Sequence, residues 1–151
     1  MFPLSWSLVR KSTEIRSFRE SDRESMIALW EECGLPRPWN DPNSDISRKL
    51  QVQPELFFVG EVGGKVMASV MAGYDGHCGS VFYLAVSPEH QRRGFGKPLM
   101  RKIEEALTAM GYPKLNIVVR SSSDQVLASY ERLGYAIDDV VSMGKRLIPD
   151  S

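Results

Sequence analysis

The chain has 151 residues and is electrically balanced, with 19 Lys and Arg against 19 Asp and Glu. Its length is typical of one domain, and its 42% hydrophobic residues are enough for a core that needs neither metal nor disulfides. A general nucleic-acid binder normally carries a basic excess, so the zero net charge argues against nucleic acid as a partner and requires any anion site to be local.

Cysteine usage and the amino-terminal stretch indicate the compartment. Cys33 and Cys78 form no CxxC pair and have no histidine at metal-ligand spacing, so we expect free thiols, no metal and a cytoplasmic location. The apolar stretch 2–9 is too short to span a membrane, and its basic residues follow it. We therefore expect no signal peptide, no membrane contact and a single domain, 13–151, preceded by an extension, 1–12.

The first half of the chain predicts helices and a β-hairpin. In order, we expect a strand (13–18), a helix capped by Ser21 with Glu24 and ended by Gly34, a short helix over about 45–52 capped by Ser44 or Asp45, and two strands (56–62 and 65–74) joined by a Gly63-Gly64 turn.

The second half alternates strands and helices. In order, we expect a strand (80–86), a helix (97–110), a strand (115–120), a helix capped within 121–124 whose inner face is Val126, Leu127, Tyr130 and Leu133, and one or two further strands within 135–148. This order predicts an α/β (α+β) domain with a mixed sheet.

A glycine-rich turn between a buried strand and a helix is the main candidate binding site. It reads Val86-Ser-Pro-Glu-His-Gln91-Arg92-Arg93-Gly94-Phe95-Gly96-Lys97-Pro98. A helix start offers unpaired N–H groups and the positive end of its dipole, and two glycines allow close approach, so the turn favours a phosphate. The alternatives are a solvated rim or a dinucleotide fold, although the third glycine of GxGxxG is absent.

Two segments resemble motifs of the GNAT superfamily of N-acetyltransferases. Gln91–Gly96 resembles its Q/R-x-x-G-x-G/A motif, and Tyr130–Tyr135 (YERLGY) resembles its Y-E-x-L-G-F/Y segment, in the same order. The order of elements is similar to that fold from about residue 13. The segments 37–42 (RPWNDP) and 73–77 (GYDGH) further resemble the bacterial YpeA-like acetyltransferases.

The resemblance implies an acetyltransferase with a GNAT-type fold that moves an acetyl group from its cosubstrate acetyl-CoA to a primary amine, by direct attack in a ternary complex. The implied coenzyme contacts are the backbones of Leu84, Ala85 and Val86 with the pantetheine arm, the turn residues Gln91, Arg92, Arg93, Gly94, Phe95, Gly96 and Lys97 with the pyrophosphate, and Ser123, where many relatives carry asparagine.

The resemblance also assigns acid catalysis. Tyr130 matches the tyrosine that protonates the departing thiolate, and a phenol of pKa about 10 lies close enough to a thiol of about 8.5 to share a proton. An oxyanion would need a backbone N–H near Leu84 or Ala85. The general base stays open, because Val118 occupies the position of a glutamate that some relatives carry. The candidates are Glu61, Asp75, His77, Tyr83, a water chain, or no base if the amine arrives deprotonated.

The acceptor is expected beside the RPWNDP loop. Trp39 with Asp41 and Asp45 suits a cationic amine, whereas Arg37 suits a carboxylate such as that of an amino acid. Asp75 and His77 are further candidates in the loop before the central strand. The alternative interpretation is a proline-stiffened loop with a helix cap.

Two questions stay open at this level. A homodimer built on the carboxy-terminal strands and the apolar stretch 2–9 is one assembly that the sequence allows. The alternative function is a regulatory module that binds acyl-CoA without catalysis; the missing glutamate and asparagine favour it, and Tyr130 argues against it.

Overall fold

The computed structural model describes residues 13–91, 94–120 and 123–150. The strands are β1 (Thr13–Ser17), β2 (Phe57–Val62), β3 (Lys65–Tyr74), β4 (Gly79–Val86) and β5 (Leu115–Ile117). The helices are α1 (Arg23–Glu32), α2 (Pro42–Gln51), α3 (Gly96–Ala109) and α4 (Asp124–Arg132), with 3₁₀ turns at Glu20–Asp22 and Pro54–Leu56. No helix in the described ranges is long and apolar enough to cross a membrane.

The strands form a mixed sheet in the order β1-β2-β3-β4-β5. Neighbouring strands are antiparallel except β4 and β5, which are parallel and joined through α3. Gly63 and Gly64 connect β2 to β3 with φ of 57° and 81°, the left-handed values that a two-residue hairpin turn requires. The predicted fold class is therefore confirmed.

The sheet separates two apolar clusters, because successive side chains of a strand point to opposite faces. On the front face, α1 and α2 cover Phe57, Val59, Met71 and Ala85. On the back face, α3 covers Phe58, Ala68, Val70, Ala72 and Val81, and Tyr130 of α4 packs against the same cluster. Each face thus has its own helices and its own core.

The first two helices begin differently from the prediction. The α-helical part of α1 starts at Arg23 after a 3₁₀ turn, and the Asp22 carboxylate, rather than Ser21 with Glu24, accepts the N–H of Arg19 (2.8 Å). Helix α2 starts at Pro42, because the Asp41 side chain accepts the N–H of Asn43 (3.1 Å) and proline suits a first turn. Asp41 is the cap, and Ser44 and Asp45 lie inside the helix.

Arg16 joins β1 to the start of α1 and to β2. Its guanidinium donates to both carboxylate oxygens of Asp22 (2.8 and 2.9 Å) and to Glu61 (2.7 Å). All three side chains are largely shielded from solvent, and the bonds from Arg16 are the main reason that the pKa of Asp22 lies below its usual range. Glu61 is therefore committed to an ion pair.

Residues 136–150, here called the tail, contain no strand, although the sequence predicts one or two within 135–148. An alternating apolar segment becomes a strand only where it meets an unpaired edge, and in the described part of the chain the tail makes no backbone–backbone hydrogen bond. Its large apolar side chains are at least 74% exposed: Ile137, Val140, Val141, Met143, Leu147 and Ile148. The structure differs from the prediction at two further points. Strand β5 ends at Ile117 instead of residue 120, and Val126, predicted on the inner face of α4, is 44% exposed.

Candidate active site

The sheet opens between β4 and β5. These strands pair only from Gly79 to Val81, so along the rest of β4 the edge that faces β5 has no partner strand among the described residues. We call this opening the gap. It runs along β4 from Phe82 to the start of the glycine turn, residues 87–96, and its unpaired strand edge can pair with an extended ligand as it would with a strand.

The backbone groups of β4 alternate between β3 and the gap. The N–H of Ser87 donates to Met67 of β3 (2.7 Å), so the alternation of an antiparallel ladder turns Ala85 towards β3 and Leu84 and Val86 towards the gap. Of the three residues expected to contact the pantetheine arm, Leu84 and Val86 thus have their backbone groups on the gap side, and Ala85 has its groups on the β3 side. The carbonyl of Val86 already accepts bonds from side chains of Gln91 (3.1 Å) and Cys33 (3.3 Å).

The glycine turn ends at an open helix start. Gly94 has φ of 83°, a left-handed conformation that favours glycine, and a Cβ at Gly94 or Gly96 would meet no atom of the described residues within 4 Å. Helix α3 has no side-chain cap and no acidic residue in its first turn, and Lys97 there is exposed. These features suit an anion at the positive end of the helix dipole. Arg92 and Arg93 lie outside the described residues.

Phe95 anchors the glycine turn to the sheet. Its ring carbon Cε1 lies 3.0 Å from the position that a Cβ on Gly60 would take, and the ring meets His90 edge-on (5.9 Å between centroids). A side chain on Gly60 would therefore push against the residue that precedes α3.

Tyr130 lies on α4 and packs against the back-face cluster. Burial raises the pKa of its phenol to about 12, and the ring of Tyr135 meets it edge-on (6.0 Å between centroids). Ser123 directly precedes α4, where its carbonyl accepts the N–H of Leu127 (3.0 Å). Val118, which replaces the glutamate of some relatives, is 80% exposed.

A cleft of about 490 Å³ opens on the front face, where α2 meets the ends of β3 and β4. We call it the front cleft. It is lined by Asn40, Asp45, Arg48, Lys49, Val52, Gln53, Met71, Gly73, Tyr74, Asp75, Ser80, Phe82 and Tyr83. The sequence predicted Asp75 here and weighed Asp45 and Tyr83. It missed Arg48 and Lys49, although Arg48 follows Asp45 at the i, i+3 spacing of a helical ion pair.

The other predicted acceptor residues lie outside the front cleft. Arg37 donates to the carbonyl of Gly34 (3.3 Å), and Asp41 caps α2. Trp39 is half exposed, with the guanidinium of Arg120 6.0 Å from its ring centroid, so its π face is already shared with a cation of the same chain. His77 is an exposed residue of the loop, and it does not line the cleft.

Tyr83 lies in a β-bulge that turns it into the front cleft. Val70 of β3 faces both Tyr83 and Leu84, and Tyr83 has φ of 49°, a strained value for a residue other than glycine. Three contacts hold it: its carbonyl accepts from Ser69 Oγ (2.8 Å), its ring stacks on Trp30 (4.0 Å between centroids), and its hydroxyl donates to Asp45 (2.5 Å).

A chain of charges continues from Tyr83 along the cleft rim. Asp45 accepts from Arg48 Nη2 (2.7 Å), and the same guanidinium makes two bonds to the tail residue Asp150 (3.0 Å each). The backbone N–H of Asp41 also donates to Asp150 (2.9 Å). The bonds from Arg48 and Asp41 lower the pKa of Asp150 to about 2, so this carboxylate is ionised at neutral pH.

The candidate bases differ in availability. Glu61 pairs with Arg16 on the far side of the sheet, at the β1–β2 edge. Asp75 accepts the N–H groups of Cys78 (2.9 Å) and His77 (2.8 Å), which lower its pKa and make it a weaker base. Burial and the neighbouring Asp45 raise the pKa of Tyr83, so its phenol stays protonated.

Known proteins are similar to this chain in sequence and in fold. The profile of the acetyltransferase (GNAT) family matches residues 15–135. Acetyltransferase YE1169 of Yersinia enterocolitica is 54% identical over 137 residues, which cover 91% of this chain and 97% of that protein. Acetyltransferase ECA0875 of Pectobacterium atrosepticum is 50% identical over 137 residues, with the same coverage of both chains.

Solved structures agree on the fold. The aminoglycoside acetyltransferase meta-AAC0020, from an uncultured soil metagenomic sample, superposes with a TM-score of 0.71 at 23% identity, covering 90% of this chain and 97% of that one. With a family profile that spans the glycine turn, the gap and Tyr130, and with relatives of half-identical sequence, the chain belongs to the acetyltransferase (GNAT) family, whose members use acetyl-CoA as cosubstrate.

Proposed function

We propose that this acetyltransferase moves the acetyl group of acetyl-CoA directly to a primary amine bound in the front cleft. The observation that carries the proposal is the gap, which runs along β4 from the front cleft at one end to the glycine turn at the other. An extended thioester placed there would have its phosphates at the open start of α3 and its acetyl group beside Tyr83.

The residues of the gap fit such a ligand. The N–H groups of Leu84 and Val86 face it and can pair with an extended amide-bearing arm as a neighbouring strand would. The N–H groups at the start of α3, with Lys97 beside them, meet the pyrophosphate. The Leu84 N–H is the candidate donor to the thioester carbonyl oxygen, on which negative charge develops.

Proton transfer completes the reaction. As the amine nitrogen bonds to the acetyl carbon, the carbon–sulfur bond breaks and Tyr130 donates its proton to the sulfur, while the amine proton passes to solvent or to a base at the cleft. Burial raises the pKa of this phenol to about 12, so Tyr130 is protonated at neutral pH and carries a proton to give. The same shift makes it a weaker acid than a phenol with the ordinary pKa of about 10, so the thiolate must remain near the hydroxyl as the carbon–sulfur bond breaks.

Thiol release from acetyl-CoA over a panel of primary amines tests the activity, and two variants test the site. Gly96→Glu places a negative charge at the phosphate position, where there is room for a side chain, and we expect it to weaken acetyl-CoA binding by at least about tenfold. Gly96→Gln has the same shape without the charge and should bind more tightly than Gly96→Glu. Equal affinity in wild type and Gly96→Glu, measured by calorimetry on folded protein, contradicts the proposed site.

A further inference from the structure

The rim of the front cleft holds a carboxylate of the chain itself. Asp150 is bound through two parallel bonds from Arg48 and one from the backbone N–H of Asp41, and its side chain is only 10% exposed. We call this arrangement of Arg48 and the Asp41 N–H the carboxylate slot. A planar guanidinium that meets both oxygens of a carboxylate is the geometry by which arginine recognises this group in ligands.

The residue that fills the slot belongs to a weakly held segment. Within the described ranges the tail makes no backbone–backbone hydrogen bond, and its six large apolar side chains are exposed. Among the described residues, the other side-chain hydrogen bonds between the tail and the body are Lys114 with Asp138 and Arg146 with Asn40 (2.7 Å each). Moving the tail would therefore break few interactions, and a second carboxylate in the slot would restore the bonds that Asp150 gives up.

The carboxylate slot adjoins the part of the front cleft where acetyl transfer is proposed. One guanidinium, that of Arg48, bridges Asp150 and Asp45, and Asp45 accepts the hydroxyl of Tyr83 beside the gap. A cationic amine at Tyr83 and Asp45 would thus lie next to a carboxylate held by Arg48. A compound with an amine and a carboxylate a few bonds apart fits both ends of this arrangement, whereas a simple amine uses only one.

We infer that the acceptor is an amino acid whose carboxylate displaces Asp150 from the carboxylate slot. This inference rests on the proposed function and names the acceptor class for the same cleft. It makes Asp150 an internal competitor of the acceptor. It also assigns to Arg48 the carboxylate-binding role that the sequence offered, as an alternative, for Arg37.

The kinetic test measures the KM of each amino acid and of the amine that lacks its carboxylate, on the wild type and on variants. Because each acceptor is compared with itself across the proteins, the pKa of its amine does not affect the ratio of KM values. Asp150→Asn removes the competitor, and we expect the KM of amino acids to fall severalfold while the KM of the decarboxylated amines stays unchanged. Arg48→Gln should raise the KM of amino acids by about tenfold or more, because a charged double hydrogen bond is lost.

Asp138→Asn is the matched control, since it is the same change in the same tail but leaves Asp150 in place. It should not alter the KM of amino acids. If Asp150→Asn raises the KM of both acceptor classes alike, or if Asp138→Asn lowers the KM of amino acids as much, Asp150 is only an anchor of the tail and the inference is wrong.

A binding measurement separates this inference from the proposed function. Titration calorimetry of amino acids into protein saturated with coenzyme A needs no turnover, and we expect tighter binding to Asp150→Asn than to wild type and weaker binding to Arg48→Gln. Acetylation of simple amines with no amino-acid binding to any variant overturns the inference alone. Amino-acid binding without thiol release contradicts the proposed function and leaves the slot intact.

Discussion

Ser69 Oγ donates a 2.8 Å hydrogen bond to the carbonyl of Tyr83 and accepts one from the buried indole N–H of Trp30 (2.9 Å). This single hydroxyl therefore connects the core of the front face to the strained residue of the β4 bulge. The bulge is what brings Phe82 and Tyr83, neighbours in sequence, to the same side of the sheet.

We expect Ser69→Ala to lower both stability and turnover. The free energy of unfolding should fall by about 2 kcal/mol, because Trp30 is left with a buried donor and no acceptor. The kcat should fall as well, since Tyr83 loses one of the three contacts that hold it beside the gap. Ser129→Ala, whose hydroxyl donates to Gln125 on an exposed helix surface, should change unfolding by less than about 0.5 kcal/mol. Urea unfolding and steady-state rates check both; an unchanged kcat in Ser69→Ala contradicts the positioning role.

The contact between Gly60 and Phe95 predicts an effect on coenzyme binding from a residue outside the glycine turn. A Cβ on Gly60 would lie 3.0 Å from both Ala68 Cβ and Phe95, so Gly60→Ala must displace the Phe95 ring. We expect severalfold weaker acetyl-CoA binding by calorimetry. Gly144→Ala adds the same methyl group at a position with no atom of the described residues within 4 Å, and its affinity for acetyl-CoA should equal that of the wild type. Equal affinities in all three proteins rule out this coupling.

The ion pair of Arg16 and Asp22 predicts a pH-dependent contribution to stability. Asp22→Asn should cost about 2 kcal/mol at neutral pH, equivalent to a Tm roughly 4–8 °C lower, because Arg16 loses a largely buried carboxylate. The folded-state pKa of Asp22 is lowered, so this contribution is present above the ordinary value of 3.8 and is lost as pH falls through the folded-state value. Wild type and variant should therefore converge in acid.

Glu20→Gln is the comparison for that experiment, since Glu20 pairs with Arg23 at an exposed site. Its Tm at neutral pH should differ little from that of the wild type. A Tm difference between wild type and Asp22→Asn that stays constant down to pH 2.5 is incompatible with the assigned ion pair.

The raised pKa of Tyr130 predicts the shape of the pH–rate profile. The phenol remains protonated up to about pH 11, so kcat should rise as the acceptor amine loses its proton and show no descending limb between pH 7 and 10. Tyr130→Phe should lower kcat by about 10²-fold or more without moving the ascending limb. Tyr135→Phe, a neighbouring ring whose hydroxyl donates to Glu104, should keep most of the activity. A descending limb near pH 8–9 that disappears in Tyr130→Phe contradicts the raised pKa of Tyr130, and an unchanged kcat in Tyr130→Phe contradicts its role as the acid.

Long periodic segments were predictable from the sequence. Helix α3 lies within one residue of its predicted bounds, because its apolar positions recur at helical spacing and Gly111 stops it with φ of 88°. The helix caps were less well predicted, because Asp41, Ser44 and Asp45 are all good capping residues. The proline directly after Asp41 is the sequence signal that favours Asp41, since proline suits the first position of a helix.

The front cleft was the least predictable part. Arg48 and Asp150 are 102 residues apart, and no local pattern indicates that they meet. The left-handed backbone of Tyr83 has no sequence signal either, because tyrosine rarely adopts it and tertiary contacts impose it. The tail shows the opposite failure: its apolar alternation is a strand signal, but strand formation depends on a free edge elsewhere in the molecule.

The separation of the two cores by the sheet has a consequence for how this enzyme can evolve. Substitutions in α1 and α2 act on one core and those in α3 and α4 on the other, and effects at sites without shared neighbours add. Mutations in α1 and α2 can therefore change which recipient molecule the proposed front-cleft site prefers, in nature or in the laboratory, while the packing of α3 beneath the proposed acyl-donor site is inherited unaltered.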